Sequence, residues 1–521
     1  MAKKNDQPKK KDQTEEYSCR KRVYPNKTQY QALSNYLYVA QKFRNLAVVF
    51  CEERRKERAQ FVKKHPALSR DWIPEEFSGD DVLVCSKELT KELNWAKDKI
   101  KILWGLNPSQ KDFSETLRNH LQQLSKEEQA EIPFALFLTV HRTVLDQVLQ
   151  DLDKTYKKAK KDRIEKKKKK AGFPQTRKHQ FCSGVRFQVS SKKNKTYLEH
   201  WQAGFIFVPS IGLLKFRDTQ TLPETPPEMI TVSRNASGQF HVSFLDKDTS
   251  NAQKTWQDLP METIQDKNGK TKQVPSIDGV DLGLTTLGTT TKKEIARKRY
   301  TRMYAKALRK ANKSLARKQK GSSRWHKAKC HLGQVHVKIA NCRQDNLRKE
   351  AKKLVQESAI LCMEDLSLQF MLQNSHLSQS AYDCSLGQFK TYIYAQARKM
   401  GHLVLECGRF DPSSKTCSQC NYYYKELTLK DTSWTCQGCD TFLLRDKNAA
   451  INIRLMALQK AIETLTASGN DVGALSSYKL HPKLVTFIKR GGLTAMLKAF
   501  TRFNTSHTDE PLVLPQKTLS K

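Results

Sequence analysis

Two pairs of cysteines carry the sharpest chemical signal in the chain. Cys417-Ser-Gln-Cys420 is followed by fifteen residues and then by Cys436-Gln-Gly-Cys439. In each C-x2-C knuckle two thiolates reach one ion, and two knuckles complete a tetrahedron. Thiolates select Zn2+ among the common divalent metals, and four of them leave no open position for water. The spacing therefore predicts one structural Zn2+ that does no chemistry itself. Lys415, Lys425, Lys430 and Arg445 flank the knuckles, which makes the ribbon a candidate nucleic-acid contact.

Three carboxylates stand in settings where a cation would be useful. In SIDGVDLGLTT (276–286), Asp281 interrupts an apolar run. Alternation along a strand puts Val280, Leu282 and Leu284 on one face and Asp281 on the other with Gly279 and Gly283. Those two glycines are bare enough for a phosphate backbone to come close. Asp278 falls on the opposite face at the strand entrance and reads as a solvated or capping residue. In AILCMEDL (359–366), Glu364 ends an apolar strand, where a carboxylate is costly without a cation. Asp365 points to the other face or opens the following loop. In LLRDKNAAINIRLMAL (443–458), Asp446 opens a helix whose Ala449 and Ala450 are small enough to pack closely on a sheet. Each of the three also has a plain structural reading, as a turn residue, a strand end or a first-turn helix acid. Should they converge, two Mg2+ about 4 Å apart, held by carboxylates and water, would serve phosphodiester hydrolysis.

The elements that must position these groups alternate. A strand around VDLGL precedes a long basic helical stretch at 291–358, broken by a turn at 321–323. A strand (359–366), a helix (386–400), a second strand (402–408), the cysteine region and the Asp446 helix come after it. Strand–helix alternation of this kind predicts an α/β layer. Upstream, 29–60 and 86–160 read as helices. Pro25 stops a short extended stretch there, and Asn26 or Thr28 can cap the first of these helices. Val140, Val144, Leu145, Val148, Leu149, Leu152 and Tyr156 form one apolar stripe. That helix runs into KTYKKAKKDRIEKKKKK (154–170), with eleven basic and two acidic residues, which suits a solvated end or a phosphate backbone. From 181 to 275, short apolar segments separated by Gly and Pro read as strands.

The 521 residues suffice for two to four domains. With 93 Lys+Arg against 53 Asp+Glu the net charge is +40, which points to a polyanionic partner: nucleic acid first, an anionic membrane second. No apolar run is long enough to span a bilayer, and the N-terminus lacks the apolar centre of a secretory signal. Thirteen cysteines, an odd number, in such a chain argue for a reducing interior rather than a disulfide framework.

Taken together, VDLGL, MEDL, PSSKTCSQC, CQGC and RDKNAAINI, in this order, resemble the transposon-encoded TnpB proteins and the compact type V CRISPR effector nucleases. RKRVYPNKTQ, KKKKKAGFP, the basic segment LRKANKSLARKQKGSSRWHKAK and SLGQFKTYIYAQARKMGHLV extend the resemblance, which is dense over 276–456. It implies a multidomain α+β chain. A disordered basic tail (1–15) would precede the first strand of a small β-barrel wedge-type domain (16–29). A helical recognition domain (30–180) and the rest of the wedge domain (181–275) would come next. An RNase H-like RuvC nuclease domain (276–410 and 443–465) would be interrupted by a zinc ribbon (411–442), with a C-terminal tail at 466–521. The resemblance makes Asp281, Glu364 and Asp446 the catalytic Mg2+ ligands, and Cys417, Cys420, Cys436 and Cys439 the Zn2+ ligands. It implies an RNA-guided DNA endonuclease. A guide RNA, from a transposon end or a CRISPR repeat, would pair with target DNA beside a short flanking motif, and the double-stranded and displaced single-stranded DNA would be its partners. A guided binder that represses without cutting, and an unguided RuvC-type resolvase, are the alternatives. The expected location is the prokaryotic cytoplasm at the nucleoid, or the nucleus in a eukaryote. One departure from the family pattern is Leu444 before Arg445-Asp446, where an acidic residue is usual.

Overall fold

The computed structural model describes residues 16–64, 81–110, 112–164, 172–178, 181–189, 195–216, 222, 226–247, 258–265, 271–365, 383–428 and 431–504. The expected basic tail at 1–15, the lysine run at 166–170 and Lys430 lie outside the described residues. The chain forms two compact units, Met1–Gln253 and Lys254–Lys521.

The first unit opens with β1 (Glu16–Tyr24) and then α1 (Lys27–Lys64). Asn26 starts that helix. Its side-chain oxygen accepts from the Gln29 N–H at 2.8 Å, and the Gln29 side chain accepts from the Asn26 N–H at 3.0 Å. This reciprocal pair satisfies two otherwise orphaned donors. Helices α2 (Asp81–Trp104), α3 (Phe113–Gln123), α4 (Lys126–Glu131) and α5 (Arg142–Ile164) follow. Then come β2 (Gly184–Gln188), α6 (Lys195–Gln202), β3 (Phe205–Val208), β4 (Gly212–Phe216), β5 (Met229–Arg234) and β6 (Phe240–Lys247).

The strands make one six-stranded sheet in the order β2-β5-β6-β1-β4-β3, so β1 sits inside a sheet whose other strands come from 184–247. Among the described residues the edge strands β2 and β3 do not pair with each other, so the sheet is open where a small barrel was expected. One sheet face carries Phe187, Ile206, Leu214, Val232 and Val242. These share a single continuous core with Leu33, Leu37 and Phe43 of α1 and Leu145 of α5. Helical and β parts are thus one packed body rather than two. On the alternate positions, Arg186, Thr231, Ser243 and Arg20 lie in one cross-strand row.

The second unit begins with a hairpin, β7 (Met261–Gln265) and β8 (Thr271–Pro275). Leu259 and Val274 join this unit's core, so the boundary expected at 275 falls instead at 253–254. A mixed five-stranded sheet follows, built from β9 (Ile277–Asp281), β10 (Gly288–Thr290), β11 (Glu294–Ile295), β12 (Ile360–Glu364) and β13 (Leu403–Cys407). Its order is β11-β10-β9-β12-β13, with β9, β12 and β13 parallel and β10 and β11 antiparallel additions. The helices are α7 (Tyr300–Met303), α8 (Ala305–Ala316), α9 (Ser323–Glu357), α10 (Leu386–Met400) and α11 (Arg445–Ala467).

Strand alternation divides the second unit's core in two. Val280, Leu361, Met363 and Val404 face Leu347, Ala351 and Leu354 of α9 and Phe389, Ile393 and Ala397 of α10. Ile277, Ile360, Cys362, Leu403 and Leu405 face Ile453, Ala457, Leu458 and Ala461 of α11. Residues 466–521 were expected to be a tail. Instead α12 (Pro482–Lys489) and α13 (Gly492–Asn504) set Leu484, Ile488, Leu493 and Met496 into the α11-side core. The Arg454 guanidinium lies 3.8 Å above the Phe500 ring. The amphipathic pattern of LVTFIKRGGLTAMLKAF accounts for this once there is a surface for it to cover. Among the described residues no helix is long and apolar enough to cross a membrane.

Candidate active site

Asp281 ends β9 and Glu364 ends β12, the neighbouring parallel strand, while Asp446 lies in the first turn of α11. Parallel pairing sends both strands out of the sheet at the same end. The start of α11 is brought to that end because the helix packs directly on β9. A Cβ placed on Gly279 would stand 2.0 Å from the Ala450 carbonyl oxygen and 2.9 Å from Arg454 Cβ. Gly279 is therefore a seat for the helix backbone, and the space expected there for a phosphate is filled by α11; Gly283 lies beyond the strand and meets only Thr285 and Thr286. Ala449 and Ala450, both buried, complete the close approach.

Asp281 feels both of the other carboxylates. Burial, then the charges of Glu364 and Asp446, push the Asp281 carboxyl up to about 7, with Arg445 opposing. Burial also raises Glu364. A hydrogen bond from Ser413 works against this, and the nearby Asp411 charge adds to it. Among the described residues only the cysteine cluster brings its ligand atoms all within 4.8 Å of one another, so the carboxylate oxygens are spread more widely than the four sulfurs. An all-oxygen donor set with excess negative charge fits hard divalent cations such as Mg2+.

The neighbours of this trio are fixed. Arg445 places Nε and Nη2 each 3.0 Å from Asp446 Oδ1, and donates from Nη1 to the Asp431 carbonyl at 2.8 Å. Arg445 was expected to help the ribbon meet nucleic acid; it is turned inward onto Asp446 instead. Asp365 pairs with Arg409 at 2.8 Å and lies 4.0 Å from Lys390. Lys390 holds Glu406 at 2.6 Å and reaches the Glu364 carbonyl at 3.4 Å. Asp278 is 4% exposed and accepts from the Thr291 N–H at 3.0 Å and the Thr291 hydroxyl at 2.6 Å. This corrects its reading as a solvated or capping residue: the chain returning after β10 covers the strand entrance.

The ribbon lies between β13 and α11. Its two short strands, β14 (Ser433–Thr435) and β15 (Phe442–Leu444), pair antiparallel, and Trp434 stacks on Tyr424 with centroids 5.3 Å apart. Cys417, Cys420, Cys436 and Cys439 converge, with Sγ–Sγ distances of 3.8 Å for Cys417–Cys439 and 3.5 Å for Cys420–Cys436. A tetrahedral ion with Zn–S bonds of about 2.3 Å requires sulfurs about 3.8 Å apart. Backbone N–H groups of Gln419 and Gly438 each point at a knuckle sulfur, Cys417 and Cys436, at 3.4 Å. The cluster therefore fits Zn2+.

Two buried asparagines of α11, not singled out as site residues from sequence, tie the ribbon root to the helix. Asn448 donates to the Thr416 carbonyl at 2.8 Å and accepts from the Ser418 N–H at 2.8 Å. Asn452 donates to the carbonyls of Ser413 at 2.7 Å and Thr416 at 2.6 Å. Polar residues on the buried stripe of a helix were the available signal.

Known protein families match the chain around this site. Residues 259–375 match the family model OrfB_IS605, described as "Probable transposase", and residues 387–453 match "Cas12f1-like, TNB domain". A protein of Streptomyces pristinaespiralis named "Putative RNA-guided DNA endonuclease" is 30% identical over 51% of this chain and 63% of its own length. This chain thus spans less than two thirds of that relative. InsQ of Escherichia coli K12, which carries the same descriptive name, is 23% identical over 59% of this chain and 73% of its own. A solved complex of Cas12f1 with sgRNA and target DNA covers 85% of this chain and 99% of its own at 12% identity, with a TM-score of 0.35. Across residues 259–453 this chain is TnpB-like, an OrfB-type segment followed by a Cas12f1-like ribbon segment.

Proposed function

We propose that the chain is an RNA-guided DNA endonuclease whose single RuvC-type site hydrolyses DNA phosphodiesters. The observation that carries the reading is the meeting of Asp281, Glu364 and Asp446, three acids from three elements: burial first, and then the charges of Glu364 and Asp446, push the Asp281 carboxyl up to about 7. Carboxylates so placed repel one another unless cations sit among them. Asp281, Glu364 and Asp446 would hold two Mg2+, which when bound activate a water and stabilise the leaving oxygen. Arg445 restrains Asp446 through an ion pair at 3.0 Å.

The mixed sheet with helices on both faces supports an RNase H-like RuvC domain. The four-thiol ribbon inserted between β13 and α11 supports the zinc-ribbon assignment. The +40 charge supports a polyanionic partner, and the relatives named for RNA-guided activity favour a guide RNA and target DNA over other polyanions. In this reading pairing with the guide supplies sequence recognition, and the protein reads a short flanking motif. The first unit serves recognition: its helices contact the heteroduplex and flanking duplex, and its sheet the RNA scaffold.

The test is Asp281→Ala in the full chain with its co-purified RNA. It is expected to abolish Mg2+-dependent cleavage while leaving guide-dependent DNA binding; retained cutting overturns the assignment. Sequencing that RNA separates a transposon-end RNA from a repeat-derived guide, and cleavage without RNA identifies an unguided nuclease.

A further inference from the structure

The ribbon and the carboxylates are joined through one short stretch of backbone. Ser413 is buried, and its hydroxyl donates to Glu364 Oε1. Its carbonyl accepts from Asn452 of α11, the helix that carries Asp446. Four residues later the same chain supplies the first thiol, Cys417, and Thr416 between them accepts from both Asn448 and Asn452. The stretch cannot rotate freely: the Thr416 N–H returns to the Pro412 carbonyl at 3.1 Å, and the Ser413 N–H to the Asp411 carbonyl at 2.8 Å. Asp411 is held in turn by the Gly408 N–H at 2.6 Å, at the end of β13.

We propose that Ser413 is a positioning residue for Glu364, and that the zinc ribbon, by fixing Cys417, holds Ser413 in place and so sets the affinity of the carboxylate site for its divalent cations. The two metal centres are then linked: the structural one orients a ligand of the other. A carboxylate ligand has two oxygens and a free rotation, and the hydroxyl on one oxygen restrains that rotation while leaving the other oxygen available to a cation. Loss of such an outer hydrogen bond typically weakens metal binding by about tenfold or more. The inference rests on the nuclease reading, because it needs Glu364 to be a metal ligand.

The experiment counts bound Mn2+ by electron paramagnetic resonance on the full chain without RNA, comparing wild type, Asp281→Ala, Ser413→Ala and Ser413→Thr. It includes wild-type protein stripped of zinc by a chelator that is then removed. The expected result is a binding component lost in Asp281→Ala, weakened about tenfold in Ser413→Ala, restored in Ser413→Thr, and weakened in the zinc-stripped chain. Circular dichroism melting of Ser413→Ala guards against simple unfolding. Wild-type Mn2+ affinity in Ser413→Ala overturns the positioning role. Unchanged affinity after zinc removal overturns the link between the centres. Equal weakening in both Ser413 variants, with a lowered melting temperature, assigns Ser413 to structure alone. If wild type and Asp281→Ala bind Mn2+ identically, the nuclease reading itself fails and this inference with it.

Discussion

Gly279 lies so close beneath Ala450 that a single methyl group on it would overlap the Ala450 carbonyl oxygen. The contact sets the height of α11 above β9, and with it the separation of Asp446 from Asp281. Gly279→Ala is expected to destabilise the second unit by about 1–3 kcal/mol, the usual cost of overpacking. Cleavage should fall further than the melting temperature suggests, because the helix must shift where the acids meet. Calorimetry and cleavage rates on one preparation check this; a variant with wild-type melting and rate contradicts the contact.

Protonation gives a second handle. In the folded chain burial, then Glu364 and Asp446, hold the Asp281 carboxyl at about 7, against an ordinary 3.8. A carboxyl whose pKa rises on folding binds its proton more tightly in the folded state. The resulting stability is fully present below the ordinary value and is lost as pH climbs through the folded one. Metal-free protein is therefore expected to melt at a lower temperature at pH 8 than at pH 5.5. Asp281→Asn should flatten most of it, and Mg2+ should raise the melting temperature more at pH 8, where the ligands are ionised. Melting curves across pH with EDTA or Mg2+ supply the comparison.

Zinc content is a third. Metal analysis should find about one Zn2+ per chain, and Cys436→Ser should lower that content and loosen the ribbon. Loosening would appear as proteolytic cuts within 415–440 that the loaded protein resists. A chain free of zinc yet resistant to protease contradicts the closed site.

Asp278 makes a fourth case, because its buried carboxylate takes two hydrogen bonds from Thr291. Asp278→Ala leaves those donors unsatisfied and should cost about 1–3 kcal/mol. Thr291→Val removes part of the same interaction, and a double-mutant cycle on melting should show the two coupled. Independent effects would place the carboxylate elsewhere.

The two acids of SIDGVDLGLTT show how far the sequence could be read. Asp281 was singled out only with Glu364 and Asp446 beside it, because convergence of acids is a property of the fold and no single strand shows it; the structure brings the ends of β9 and β12 and the start of α11 together. Asp278 was misjudged because alternation tells which face a residue takes and not what later covers that face; the chain after β10 does. Gly279 was misjudged for the same reason, its open face being filled by a helix some 170 residues downstream (Gly279 to Ala450). The cysteine spacing was legible because each knuckle closes within four residues. Asn448 and Asn452 were not, because their partners are backbone carbonyls, which every residue carries and no sequence distinguishes. The boundary between units was misplaced by a hairpin, β7–β8, whose strand pattern is local and whose allegiance is decided by Leu259 and Val274 in the second unit's core.

The two helices beyond α11 bear on how small this molecule can be made. The last matched motif ends near 453, and anyone shortening the chain would be tempted to cut soon after it. Removing 482–504 would strip Leu484, Ile488, Leu493 and Met496 from the core and take the Phe500 ring from Arg454, whose backbone N–H and Cβ crowd Gly279. Trimming at that end thus reaches the strand that carries Asp281, and the economical place to shorten the chain is somewhere else.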